Sequence, residues 1–179
     1  MHSTEAIVLK KMDVGEHDAL YMLYTRDYGK MKAVAAGIKK EGAKLKGHLE
    51  PLSMSGVRFV SGKNREKLIA ASLMNFWHGL RADEKKLAAA HYVASRIDQE
   101  CMEGEKDDGL WGLITKNLFT LDTKDILEEE LERFLHSFET DLRECLGYGG
   151  ANGVSINEVS SGRNEPDYAI MNTWVSWRN

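Results

Sequence analysis

The spacing of apolar residues changes near residue 80, and this change most constrains what the chain can fold into. Before that point the apolar residues form short runs, with turn residues such as Gly15, Gly29, Gly42 and Gly47 between them. Short runs with a turn signal about every ten residues predict a small β-barrel or β-sandwich. The five predicted strands span residues 6–9, 18–25, 30–38, 49–60 and 68–77.

After residue 80 the apolar residues recur every three or four positions, which is the spacing of one face of an α-helix. Asp83, Asp108 and Thr123 precede three such stripes, and we expect them to cap the helices. A further short helix is predicted after Asn164. The three stripes occupy residues 87–101, 110–121 and 127–145.

These patterns predict an α+β chain with two domains, a five-stranded β domain in residues 1–80 and an all-helical domain in residues 81–179. The two parts differ in charge. Residues 1–80 carry 13 Lys and Arg against 8 Asp and Glu, a net +5, whereas residues 81–179 carry 11 against 20, a net −9. The β domain is therefore the part expected to meet a polyanion.

Several functional classes find no support in the sequence. It shows no signal-peptide pattern and no apolar run long enough to cross a membrane, so we expect a cytoplasmic protein without a membrane partner. The phosphate-binding and nucleophile motifs of common enzyme classes are missing. The two cysteines, Cys101 and Cys145, and six scattered histidines do not supply a tetrahedral zinc site. We expect no catalytic residues, no metal and no cofactor.

The strongest functional signal is a basic segment that runs from Arg26 to Lys46 and contains only two acids, Asp27 and Glu41. Lysines on a mobile, glycine-containing loop can follow a phosphate backbone without reading bases, and a nearby tyrosine can stack on a base. A charged loop that is merely solvated remains the competing interpretation. The candidate nucleic-acid-binding residues are Arg26, Tyr28, Lys30, Lys32, Lys39, Lys40, Lys44 and Lys46.

The order and spacing of several short stretches resemble the bacterial RecO family of recombination mediator and DNA repair proteins. Residues 5–9 (EAIVL) and Gly15-Glu16 resemble its first strand and turn, and residues 23–30 (LYTRDYGK) resemble its "L-x-T-x-x-x-G-K" hairpin. The resemblance continues through Ala36-Gly37, Lys39-Lys40, residues 49–51 (LEP) and residues 145–148 (CLGY).

The resemblance implies an N-terminal five-stranded barrel of the OB type and a C-terminal helical domain. It also implies binding to single- and double-stranded DNA, strand annealing, and work with a RecR-type mediator to load recombinase onto strands coated by single-strand-binding protein. The DNA-binding role falls by position on the bases of the 26–46 segment.

This sequence departs from the family pattern because it has no four-cysteine zinc ribbon and ends about thirty residues after Leu146. The family also binds the acidic C-terminal tail of single-strand-binding protein. The clustered bases of the acidic half are the expected partner-binding residues for that tail: Arg81, Lys85, Lys86 and Arg96.

Two other functions fit the same residues. An OB-type protein that binds single-stranded RNA would use the same basic loop, because phosphate and stacking contacts suit both nucleic acids. A protein-interaction adaptor would use the barrel without any nucleic acid.

Overall fold

The computed structural model describes residues 1–63 and 65–148. In this part of the chain five strands are followed by four helices, which confirms the predicted α+β architecture. The strands are β1 (His2–Val14), β2 (Asp18–Thr25), β3 (Gly29–Ala35), β4 (Met54–Ser61) and β5 (Glu66–Asn75). The helices are α1 (His78–Ala82), α2 (Glu84–Glu100), α3 (Asp108–Thr123) and α4 (Glu128–Cys145).

The five strands form a closed barrel in the order β1-β2-β3-β5-β4. β1 pairs antiparallel with both β2 and β4, and its pairing with β2 shifts register between Val8 and Lys10. β3 and β5 close the barrel with a short parallel contact of two residue pairs, Ala33 with Glu66 and Val34 with Lys67. This strand order is that of the five-stranded barrel of the OB fold, closed here by the β3–β5 contact.

Strand β2 is apolar on both faces because the barrel and the helices each bury one of them. Tyr21 and Leu23 point into the barrel core, where they meet residues such as Val57. Met22 and Tyr24 point outward and belong to a second core, which the helices share. β1 alternates in the same way, so the outer face of β1 and β2 is the floor on which the helices pack.

The helix starts partly follow the sequence. Asp83 caps α2 as predicted, and its carboxylate accepts hydrogen bonds from the N–H groups of Lys85 and Lys86 at 2.8 and 3.1 Å. α3 is capped by Asp107, one residue before the expected Asp108. The short helix α1, which follows directly after the predicted last strand (68–77), was not expected.

The predicted cap of α4 is wrong. Thr123 is the last residue of α3, and its hydroxyl donates to the carbonyl of Phe119 at 2.8 Å. α4 begins after Leu127, whose N–H donates to the Glu130 carboxylate at 3.1 Å. A glutamate three residues into the helix therefore replaces the missing hydroxyl cap. Leu127 itself is 58% exposed and lies outside the buried stripe.

β5 ends at Asn75 and α1 begins at His78, next to the predicted domain boundary at residue 80. The helix predicted after Asn164 lies outside the described residues.

A buried lysine joins the barrel to the helices. The Lys30 ammonium, at the start of β3, pairs with the Asp98 carboxylate at 3.0 Å and donates to the carbonyls of Asp98 and of Cys101, the latter at 3.1 Å. The Lys30 carbonyl accepts from the N–H of Gly104 at 2.9 Å. Gly29 lies so close to the same segment that an added Cβ would be 1.9 Å from the carbonyl oxygen of Glu105.

We predict that Lys30→Ala lowers the free energy of unfolding by about 3 kcal/mol, because it leaves the Asp98 carboxylate largely buried without its counter-ion. Lys32→Ala is the matched control on the same strand, since the Lys32–Glu103 pair is exposed. It is expected to cost less than about 1 kcal/mol. Urea unfolding of both variants is the measurement, and equal losses would contradict the role of Lys30 as a buried link.

Candidate nucleic-acid interface

The basic loop between β3 and β4, residues 36–53, is a series of turns anchored in the barrel. Lys40 N–H donates to the Gly37 carbonyl at 3.1 Å, and three more bonds of the same spacing follow up to the N–H of His48. Ile38 and Leu49 are buried in the barrel core, and Leu45 packs against it. These contacts attach the loop to the barrel at Ile38, Leu45 and Leu49.

Three lysines of this loop point into solvent. Lys40, Lys44 and Lys46 are exposed, and no ion pair with another described residue engages them. Their positive charge is therefore not neutralised within the described part of the chain. Of the predicted segment, these three lysines are the ones that remain both exposed and unpaired among the described residues.

Lys39 ties the loop to the turn between β1 and β2. Its ammonium pairs with Asp13 at 3.1 Å and donates to the Gly15 carbonyl at 3.3 Å. Together with Lys11 and Lys46 it lines a crevice of about 230 Å³. Lys11 was not among the predicted residues, because it lies outside the Arg26–Lys46 segment. Its signal in the sequence is the adjacent pair Lys10-Lys11, whereas its exposure and the neighbouring β1 bulge appear only in the structure.

The predicted segment does not form one surface. Arg26 and Tyr28 lie in the turn before β3 and the lysine loop lies after it, so the seven residues of β3, about 23 Å, separate them. Arg26 pairs with Glu5 at 3.1 Å. Tyr28 is 36% exposed and contacts the rings of His2 and Phe59, with centroids 5.5 and 5.2 Å away.

The two lysines of β3 are engaged by the helical part. Lys30 is buried and its ammonium is held by Asp98 and Cys101, so the prediction that it contacts DNA is corrected. Lys32 is exposed but pairs with Glu103. Both side chains project outward from the barrel, on the face against which the α2–α3 connection lies.

In many OB folds the outer face of strands 2 and 3, with the adjoining loops, binds the ligand. Here Met22 and Tyr24 of that face pack in the core shared with the helices. The Tyr24 hydroxyl also donates to the Asp107 carbonyl at 3.4 Å. The usual ligand face is therefore covered at β2, and the exposed bases lie on the loop and on the other side of the barrel.

The four predicted partner-binding bases are not brought together as a free cluster. Arg81 donates to the carbonyls of Phe76 and Pro51, both at 2.6 Å, and burial lowers the pKa of its guanidinium. It therefore joins α1 to the loop before β4. Lys85 pairs with Glu128, and Lys86 donates to the Lys124 carbonyl at 2.6 Å. Each of these bases links two elements of the fold.

Arg96, the fourth of these bases, links α2 to α4. Its guanidinium donates to both carboxylate oxygens of Glu139, at 2.8 and 3.3 Å, and pairs with Glu100 at 2.9 Å. Burial lowers the pKa of Arg96, but the hydrogen bond and charge of Glu139 outweigh burial and raise it. Arg96 lies eleven residues after Lys85 along α2, about 16 Å away.

Within residues 1–63 and 65–148 no three His, Cys, Asp or Glu side chains converge on a point that would hold a metal ion. Burial raises the pKa of the Cys101 thiol to about 11 and also raises that of Cys145. Both thiols are therefore protonated at neutral pH and are weak nucleophiles. None of the described helices has the length and apolar character needed to cross a bilayer.

Comparison with known proteins gives a consistent result. Residues 1–77 match the family described as "Recombination protein O N terminal". The chain is 32% identical over 145 residues to "DNA repair protein RecO" of Geobacter metallireducens, covering 81% of this chain and 58% of that protein. The protein of the same name from Caldanaerobacter subterraneus gives the same identity and coverage.

A third relative, "DNA repair protein RecO" of Syntrophomonas wolfei, is 36% identical over 101 residues, which is 56% of this chain and 40% of the relative. The chain thus spans about half the length of the curated relatives it matches.

We predict that Arg96→Ala lowers the free energy of unfolding by about 2 kcal/mol, because the largely buried Glu139 carboxylate loses its charged donor. Lys85→Ala is the matched control on α2. It removes an exposed pair and is expected to change stability by less than about 0.5 kcal/mol. Thermal and urea unfolding are the measurements. If Arg96→Ala is as stable as wild type, the contact with Glu139 does not hold Arg96 in the fold, and its side chain remains available to bind a partner.

Proposed function

The chain belongs to the RecO family of DNA repair proteins, and from this we propose that it is a non-catalytic DNA-binding protein of recombinational repair. It binds single- and double-stranded DNA through the lysine loop, promotes strand annealing, and works with a RecR-type mediator to load recombinase onto strands coated by single-strand-binding protein. Such a role belongs in the bacterial cytoplasm.

One observation carries the DNA-binding part of this proposal. Lys40, Lys44 and Lys46 are exposed on an anchored loop, and no described acid pairs with them. Unpaired lysines without a base-reading helix favour sequence-independent contacts to phosphates, in which most of the free energy comes from the release of counter-ions. The same contacts lower the repulsion between two strands that are to be annealed.

The partner assignments rest on family membership. The expected bases for the acidic tail, Arg81, Lys85, Lys86 and Arg96, are engaged within the fold, so a tail that binds there must compete with Glu128 or Glu139. The acidic half as a whole, at net −9, is expected to stay away from the DNA.

We predict that binding to an oligonucleotide of about 20 residues weakens steeply with salt. If about five lysine or arginine side chains contact phosphates, log K falls with log salt at a slope of roughly −3.5 for a single strand. Lys40→Glu/Lys44→Glu should make this slope shallower by about 1.4 and weaken binding to single strands and duplexes alike. Fluorescence anisotropy over a salt series is the measurement.

The matched control is Arg133→Glu/Arg143→Glu, which changes the net charge equally at exposed positions of α4. It should retain wild-type affinity, and both double variants should keep their melting curves, because exposed substitutions change stability by about 0.5 kcal/mol or less. Equal effects of the two variants would show a response to net charge alone. Competition between DNA and RNA strands of equal length separates the repair function from an RNA-binding one, and no binding to either would favour an adaptor.

A further inference from the structure

The outer face of β4 and β5, which we call the open face, is a second basic surface. Val57, Phe59 and Leu68 point into the barrel core, so their neighbours Arg58 and Lys67 point outward. Lys67 lies opposite Val60 and Arg58 lies opposite Ala70, which places the two cations on neighbouring strands two pairs apart. Both are exposed.

The turn between these strands adds two more exposed bases, Lys63 and Arg65. Among the described residues no ion pair engages any of the four cations. The one acid in this part of the sheet is Glu66, at the start of β5, and one of its carboxylate oxygens is buried away from solvent. The open face therefore presents an uncompensated positive charge.

Apolar side chains lie beside these cations. Ile69 and Met74 of β5 are 48% and 52% exposed. Met74 lies over Gly56 and, with Trp111 at the start of α3, lines a groove of about 730 Å³. An unpaired nucleobase can stack on exposed apolar or aromatic side chains that lie next to cations. In a duplex the nucleobases are already stacked and paired, so they cannot make these contacts.

The acids that line this groove already have partners. Glu5 pairs with Arg26 at 3.1 Å, Asp108 pairs with Lys106 at 3.4 Å, and Asp27 accepts from the Thr4 hydroxyl at 2.7 Å. The two ion pairs compensate the charges of Glu5 and Asp108, whereas Asp27 keeps its charge because its partner is a neutral hydroxyl. The phosphates of a bound strand are therefore expected on the cations of the open face and not in this groove.

The open face is continuous with the lysine loop. The ring of His48, near the end of that loop, accepts a hydrogen bond from the N–H of Leu73 on β5 at 3.4 Å. From Leu73 to Lys67 the strand covers about 20 Å, so β5 connects the end of the loop with the cations of the open face. This length suits a strand of several nucleotides, within the range of about 4 to 16 found for single OB folds.

We propose that the open face carries an unpaired DNA strand that continues from the lysine loop along β5, with phosphates on Arg58 and Lys67 and bases against Ile69 and Met74. The proposal rests on the DNA binding proposed above and adds to it a surface that selects single strands. The exposed apolar side chains beside the cations favour an unpaired DNA strand over an acidic peptide, because each nucleotide offers both a phosphate for a cation and a nucleobase for an apolar side chain.

The test compares two variants of the full chain, Arg58→Glu/Lys67→Glu and Ile69→Ala/Met74→Ala, with wild type and with Arg133→Glu/Arg143→Glu. The charge variant should bind a single strand of about 20 nucleotides at least about tenfold more weakly, with a salt slope shallower by about 1.4. The apolar variant should lose about fivefold or more without a change in slope. Both should bind a short duplex within about twofold of wild type, since the lysine loop is intact.

The outcomes separate the two proposals. If wild type binds DNA, the loop variant does not, and both open-face variants bind single strands normally, the open-face proposal is overturned while the DNA-binding function stands. If the open-face variants lose single strands and duplex equally, the surface does not select single strands and the proposal is also overturned. If wild type binds no DNA, both fall. If Arg58→Glu/Lys67→Glu abolishes binding of a polyglutamate peptide but leaves single-strand binding unchanged, the open face binds an acidic protein partner and not DNA, and the proposal is overturned.

Discussion

The packing of the outer face of β1 and β2 against the helices is the constraint on which the rest of the structure depends. Ile7, Leu9, Met22 and Tyr24 share one core with α2, α3 and α4, and the buried Lys30–Asp98 pair closes that contact at its edge. Because this packing covers the barrel face that OB folds commonly use for ligands, the exposed cations of the barrel lie instead on the loop after β3 and on the outer side of β4 and β5. The place of the proposed DNA surface thus follows from how the helices are attached.

Much of the fold could be predicted because local patterns determine it. The apolar run 18–25 matches β2 at both ends, and Asp83 caps α2 as its place before an apolar stripe indicated. The predicted caps of α3 and α4 were displaced by one and four residues, since Asp107 and the Glu130 carboxylate serve the free N–H groups instead. Helix starts depend on which of several nearby polar groups reaches the backbone, and sequence spacing alone does not decide that.

The candidate site was less predictable, because a lysine or arginine on a strand has the same sequence pattern whether its side chain is exposed to solvent or packs against another part of the fold. Lys30 and Lys32 point to the same side of β3, yet one is buried against Asp98 and the other pairs with Glu103 near the surface. Arg81 and Arg96 looked like a surface cluster and instead connect distant parts of the chain. In the loop, by contrast, the sequence pattern was informative: Leu45 packs against the barrel core, while its neighbours Lys44 and Lys46 remain exposed.

The shared core also bears on how far the barrel is a module in its own right. The matching family segment ends at residue 77, close to the end of β5, and suggests a unit that evolution could move between proteins. A barrel that ended at residue 77 would expose an apolar patch along two adjacent strands. The side chains of this patch are Ile7, Leu9, Met22 and Tyr24. A barrel without these helices would need polar residues at these four positions or another partner to cover them. The matching segment therefore ends where similarity to the family is recognised, whereas the core that covers the barrel continues into the helices.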